Sequence, residues 1–323
     1  MENLLSIVVP VYNVERYIRG CLNSLIEVDR NINVEIIIVN DGSKDSSIDV
    51  AKSYLPYFHM AKIVSQENQG LSAARNTGFR HANGNYLYFL DSDDYLNVQE
   101  FCLLYEKMLK SGADCAVGDY YYVCNGSKQY SNLRINTQVD ILLNGKDFFC
   151  DYYSKIDTPV WRCIYRKEFL EKERMFFSVG IEHEDVNWSP KVYVLSNAVL
   201  YVPIPIYNYV IRNNSIQHST FTHKKRDSLI FVYSDLLSFF SNQDVKLQKA
   251  SNRIITNFAF VIMGLSLTNN IYTNEVRRNI TRLIRNNLSS DLRTFFMNKS
   301  YSLFPRFVEK LVKSHFKPQI RNL

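Results

Sequence analysis

Apolar and polar positions change period repeatedly along the first 125 residues. "LLSIVVPVY" (4–12), "VEIIIVND" (34–41), "AKIVSQ" (61–66) and "GNYLYFLD" (84–91) are runs rich in β-branched and aromatic residues, bounded by polar ones, and read as buried strands. Between them, "VERYIRGCLNSLIE" (14–27), "DSSIDVAKSYL" (45–55) and "LSAARNTGFRHA" (71–82) carry helical spacing, and "VQEFCLLYEKMLKSG" (98–112) leads into a further strand, "ADCAVGDYYYV" (113–123). Alternating strands and helices predict an α/β fold: a mostly parallel sheet covered on both faces, with ligands outside the carboxyl ends of its strands. From about residue 224 the pattern turns helical through "KKRDSLIFVYSDLLSFF", "VKLQKASNRIITNFAFVIMGLSL", "NEVRRNITRLIRNNL" and "SLFPRFVEKLVKSHF". A boundary near 211–223 divides the chain into a domain over 1–220 and a helical region over 221–323.

Charge sharpens that division. The net charge is +6, but residues 211–323 hold 18 of the 38 Lys and Arg and 6 of the 32 Asp and Glu, so that segment is +12 and the rest is −6. A basic tail on an acidic domain suits a negatively charged partner or a solvated helical surface. In the last helical pattern Leu303, Phe304, Phe307, Val308, Leu311 and Phe316 share one face, opposite Arg306, Lys310, Lys313 and Lys317. Such a helix either rests on its own domain or lies on an anionic membrane surface. A nucleic-acid-binding role has no recognition motif to support it. The six cysteines include no C-x-x-C pair and several lie in apolar runs, as reduced core thiols do, which suggests a cytoplasmic protein. An acidic second residue and Pro10 are expected to exclude a signal peptide, and the apolar stretch from residue 254 is short and interrupted for a membrane span.

The candidate chemistry sits at strand ends. Pro10 is expected to stop the first ladder and deliver Tyr12 and Asn13 to a loop, where a ring could stack on a base. Asp41 precedes Gly42 and Ser43 at a strand-to-helix turn, as in an ordinary capped turn. There is no G-x-G-x-x-G and no phosphate-loop motif. In "FLDSDDYL" an apolar strand ends in Asp91, Asp93 and Asp94, a cluster tolerable if a divalent cation sits among the oxygens or if the loop is well solvated. Farther on, "GIEHEDVNW" crowds Glu182, Glu184 and Asp185 at the start of a helical stretch, where acids also complement the helix dipole.

Taken in order, "SIVVPVYN", "EIIIVNDGSKDSS", "NQGLSAARNTGF", "FLDSDDYL" and "GIEHEDVNW" make the chain, over residues 4 to about 215, resemble the inverting glycosyltransferases of family 2, whose catalytic domain has the GT-A fold. The resemblance implies nucleotide-sugar contacts for Pro10, Tyr12, Asn13, Asp41, Ser43, Asn68, Gly70, Ala73 and Arg75. It implies that Asp91, Ser92 and Asp93 form the D-x-D element that holds Mn²⁺ or Mg²⁺ and the diphosphate, with Asp91 and Asp93 as metal ligands. The E-D pair supplies the catalytic base, Asp185, with Glu184 as the alternative or its orienting neighbour. Arg212 and Ser215 are expected to close over the diphosphate, and His218 to add a metal or phosphate contact. Trp161 is expected on the acceptor side, although Arg162 and Cys163 stand where relatives often carry Asn and Lys. Trp188 is expected in the core.

The implied partners are a UDP-sugar donor, a lipid-linked glycan acceptor of bacterial surface polysaccharide assembly and the inner face of the cell membrane, with a homo-oligomer open. The alternative is a noncatalytic nucleotide-sugar binding module, which would lose its metal site or its base; both sets of residues are present.

Overall fold

The structure is a computed structural model, described here for residues 3–131, 135, 137–153, 159–212, 222–251 and 255. The chain divides into two compact units, Met1–Gly180 with Glu184–Ile216, and Ile181–His183 with Gln217–Leu323.

The first unit opens with β1 (Leu5–Val11), α1 (Ile18–Asn31), β2 (Val34–Asp41), α2 (Ser47–Tyr54), β3 (Ala61–Gln66), α3 (Leu71–His81) and β4 (Tyr86–Phe89). β5 (Tyr95–Leu96), α4 (Val98–Ser111), β6 (Cys115–Cys124), β7 (Ser127–Tyr130), β8 (Ile141–Leu143), α5 (Gly145–Tyr152), β9 (Cys163–Arg166), α6 (Lys167–Lys172), α7 (Glu184–Leu195) and β10 (Val199–Val210) complete it. Among the described residues the strands form one sheet in the order β3-β2-β1-β4-β9-β6-β10-β5, with β7 on β6 and β8 on β10.

The parallel order expected from the alternation runs through β3, β2, β1 and β4. It is interrupted there, because β9 enters antiparallel to both β4 and β6; β10 then runs parallel to β6, and β5, β7 and β8 join antiparallel, so the sheet is mixed. The pleat explains the fully apolar β1. Leu5, Ile7, Val9 and Val11 join the core cluster with Ile18, Cys21, Leu22 and Leu25 of α1. Val8 faces the opposite way, toward α3, so closely that a Cβ on Gly78 would lie 2.1 Å from it.

Pro10 does not end β1. It pairs in register with Val39, while the ladder to β4 ends at Val8–Phe89. Pro10 therefore lies past the last β4 pair, with a neighbouring strand on one side only, where a missing N–H is tolerated. Trp188 is buried, its ring stacked on Phe177 at 4.6 Å and its indole N–H donating to the Met175 carbonyl. Trp161, expected on the acceptor side, is packed among aromatic rings. It is 5% exposed and lies flat on Tyr207 at 4.1 Å, with Tyr120 edge-on, so it offers little ring face to a sugar.

In the second unit α8 (His223–Ser241) starts at Thr222, whose side chain accepts from the Lys225 N–H. It buries Leu229, Val232, Tyr233, Leu236 and Phe240, a stripe at helical spacing. Among the described residues no helix is long and apolar enough to cross a membrane. Ser215, His218 and the basic amphipathic pattern over 302–317 lie outside the described residues.

Candidate active site

The carboxyl ends of β1 and β2 are laced into one loop system. Asn13, at φ +52°, accepts from the Lys44 N–H, and its own N–H donates to Ser43 Oγ at 3.3 Å. Ser43 Oγ donates to the Val11 carbonyl at 3.3 Å, and its N–H reaches Asn40 Oδ1 at 2.9 Å. Tyr12 stands 47% exposed at the rim.

Asp41 is 3% exposed, and its carboxylate accepts from Gln66 Nε2 at 2.8 Å, Gln69 N at 2.9 Å and Gly70 N at 2.8 Å. The charge thus sits before the amino terminus of α3, where helix dipole and free N–H groups favour an anion. Asn68 is exposed, and its amide nitrogen donates to the Asp41 carbonyl at 3.0 Å. Gly42, at φ +74°, lets this turn close: a Cβ there would lie 3.0 Å from the Asn68 nitrogen. Ala73 is buried on α3 and Gly70, at φ +88°, is its N-cap. Asp41, Asn68 and Gly70 therefore stand together, and Ser43 joins Tyr12 and Asn13 on the neighbouring loop.

The three acids after β4 part company. Asp94 is 2% exposed; it accepts from Tyr207 OH at 2.8 Å and from the Val210 N–H at 2.7 Å. Burial pushes its pKa up to about 8, so it is a largely protonated brace between this loop and β10. Asp91 and Asp93 remain partly open, with side-chain exposures of 24% and 21%. Asp93 pairs with Arg212, whose guanidinium also stands 4.5 Å from the ring of Tyr17. Ser92 between them is buried.

Asp91 Oδ1 accepts from Arg75 Nη2 at 2.7 Å, and the other terminal nitrogen of Arg75 reaches Glu184 Oε1 at 2.5 Å. Arg75 is 2% exposed. Burial alone would weaken its charge, but the two carboxylates outweigh that and raise its pKa, so it is a permanent cation. Glu184 and Asp185 form the first turn of α7. Asp185 is half-buried and accepts from the Val186 N–H at 2.8 Å. Burial and then the neighbouring Glu184 charge push its pKa up to about 7, Arg75 opposing them.

Asp91 and Asp93 present carboxylate oxygens at an open strand end, and that donor set fits a hard divalent cation. No group of three acids, histidines or cysteines poised to hold an ion is assembled among the described residues. The two aspartates are instead neutralised by Arg75 and Arg212.

Sequence reasoning missed Tyr17, the structural role of Asp94 and the second partner of Arg75. Only the proximity of Tyr17 to the first strand end could have marked it. The bond from Arg75 to Glu184 spans 109 residues and leaves no local pattern.

With a D-x-D loop at one strand end and an acidic pair at a helix start, the chain belongs to glycosyl transferase family 2, whose model matches residues 6–174. It is similar to glycosyltransferase GlyA of Streptococcus pneumoniae, 33% identical over 256 residues, which are 77% of this chain and 36% of GlyA. It is also similar to the putative glycosyltransferase EpsH of Bacillus subtilis, 32% identical over 271 residues, 81% of this chain and 75% of EpsH. The chain thus spans only about a third of the length of GlyA. Among solved structures, S. aureus TarS in complex with UDP-GlcNAc aligns at a TM-score of 0.67 and 20% identity, covering 98% of this chain and 86% of that one. The mannosyltransferase PcManGT of Pyrobaculum calidifontis, in complex with GDP-Man and Mn²⁺, aligns at 0.56 and 13% identity over 99% and 89% of the two chains. These likenesses establish the GT-A fold.

Proposed function

We propose that this chain is a metal-dependent inverting glycosyltransferase that moves a sugar, a hexose, from a UDP-sugar to a hydroxyl of a lipid-linked oligosaccharide in bacterial surface polysaccharide assembly. The observation that carries this reading is the meeting, on one buried arginine, of Asp91 from the D-x-D loop and Glu184 from the acidic pair. Leaving-group and acceptor chemistry must occur within a few ångströms of each other, and this contact joins the residues proposed for each. The UDP-GlcNAc in TarS and the GDP-Man and Mn²⁺ in PcManGT support a nucleotide-sugar donor and a cation.

Tyr12, Asn13 and Ser43 at one loop, with Asp41, Asn68 and Gly70 at the next, hold the base and ribose. Asp91 and Asp93 hold the cation, which when bound offsets the charge that builds on the departing diphosphate. Arg212, beside Asp93, would present its guanidinium as a bidentate donor to the diphosphate. Asp185, with a pKa near neutrality, takes the proton of the acceptor hydroxyl as its oxygen attacks the anomeric carbon from the face opposite the diphosphate. Pro10, Ala73 and Ser92 shape the walls; Ser215 and His218, outside the described residues, are assigned to the diphosphate and to a metal or phosphate contact. Residues 1–220 form the catalytic domain, and the basic region over 221–323 brings it to the anionic inner face of the membrane, where the acceptor resides.

A panel of UDP-sugars assayed for UDP release, with and without EDTA, tests the reading. One donor should be turned over only with a divalent cation, and Asp93→Ala should abolish that turnover while the fold persists. Undiminished release in EDTA, or from the folded variant, would overturn the metal assignment.

A further inference from the structure

Arg75 has a place in the site that nucleotide contact does not explain. Its side chain is buried in the first half of α3, with the guanidinium 5.5 Å from the Phe177 ring centroid. Nη1 reaches Glu184 and Nη2 reaches Asp91, whereas among the described residues Nε is buried without a partner. Both terminal groups are therefore committed to carboxylates on separate loops. A planar guanidinium fixes not only the distance between its partners but their relative orientation.

The consequence falls on the acidic pair. Glu184 and Asp185 are adjacent in the first turn of α7, yet their surroundings differ. Glu184 is held by Arg75, while among the described residues Asp185 accepts from the N–H of the next residue, Val186. Among the described residues, the ionisable groups that act on Asp185 include Glu184 on its own helix, Arg75 from α3, Asp91 after β4 and Tyr153 at the end of α5. Arg75 supplies the positive charge in that set.

We propose that Arg75 is the positioning residue of the acidic pair: by fastening Asp91 and Glu184 it commits Glu184 to an ion pair and leaves Asp185, with the Arg75 cation beside it, as the carboxylate that receives the acceptor proton. This rests on the reading of Asp185 as the base. Arg75 touches no reacting atom in this scheme; it acts through the two carboxylates.

The test is the pH dependence of kcat in variants that change the set in opposite senses. Arg75→Gln removes the cation and leaves two adjacent carboxylates facing each other, so the acidic limb should move up by about 1 to 3 pH units. Glu184→Gln removes the like charge and should move it down. Arg75→Lys keeps the charge without the fork, and should restore most of the limb position but not the full kcat. The same ordering should appear without any cation or donor, in ¹³C carboxyl titrations of the metal-free protein, with the Asp185 resonance identified by its loss in Asp185→Asn.

A role in stability alone predicts a lowered Tm for Arg75→Gln with an unmoved limb, which would overturn the proposal. If Arg75→Gln does not fold, Glu184→Gln and Arg75→Lys decide: a limb that stays in place in Glu184→Gln, or moves up, is equally fatal. The base reading fails separately, by wild-type turnover in Asp185→Asn.

Discussion

Replacing Tyr207 by Phe isolates one buried hydrogen bond whose worth should change with pH. The ring stays, so its 4.1 Å stack on Trp161 is retained, and only the hydroxyl that donates to Asp94 Oδ2 at 2.8 Å is lost. Asp94 keeps its second donor, the Val210 N–H at 2.7 Å. Burial raises the Asp94 pKa from 3.8 to about 8, with the Asp91 charge adding to it. Because the folded state holds this proton more tightly than the unfolded one, the group's contribution to stability is full below about 3.8 and is lost as pH rises through about 8.

At pH 6 the carboxyl is neutral, and losing the hydroxyl should cost about 1 kcal/mol, a neutral hydrogen bond. At pH 9 the carboxylate is ionised and buried, and the cost should grow to about 2–3 kcal/mol. Urea unfolding followed by tryptophan fluorescence, in metal-free buffer at the two pH values, measures both. Asp94→Asn should flatten the pH dependence of the parent and remove the extra cost of Tyr207→Phe at high pH. An equal loss at both pH values would refute the assignment of Asp94 as a buried, titrating brace.

Gly42→Ala forces a left-handed turn on a residue with a Cβ 3.0 Å from the Asn68 nitrogen. It should cost about 1–2 kcal/mol in denaturant unfolding and weaken UDP binding by calorimetry, and unchanged affinity would detach this turn from the nucleotide. Changing Arg306, Lys310, Lys313 and Lys317 to Gln should lower binding to anionic vesicles by nominally about 1 kcal/mol per cation and reduce its salt sensitivity, while leaving donor hydrolysis intact. Sedimentation of the wild type without vesicles would assign that region another role.

The order of elements through β4 was legible because its strands and helices differ in hydrophobic period and follow one another locally. The entry of β9 antiparallel to β4 was not, since "CIYR" pairs with residues nearly eighty positions earlier and a four-residue apolar strand carries no direction. The site followed the same rule. The D-x-D loop and the acidic pair could be found from clustered charge, but "DSDD" does not reveal which acid turns inward. Asp94 is withdrawn by Tyr207 and Val210, 113 and 116 residues away. Asp41 looked like an ordinary turn acid, and the structure makes it both brace and strand-end residue by aiming three N–H donors at it. In each case the residue type was readable and its partner was not.

The central claim is that Asp185 takes the acceptor proton in a sugar transfer from a nucleotide donor. Asp185→Asn keeps the shape of the side chain and removes its basicity. With the donor identified by the panel, UDP-sugar affinity measured by calorimetry should stay close to wild type while kcat for transfer falls by about 10²-fold or more. Wild-type transfer by this variant, with Glu184→Gln inactive, would contradict the account and give the base to Glu184.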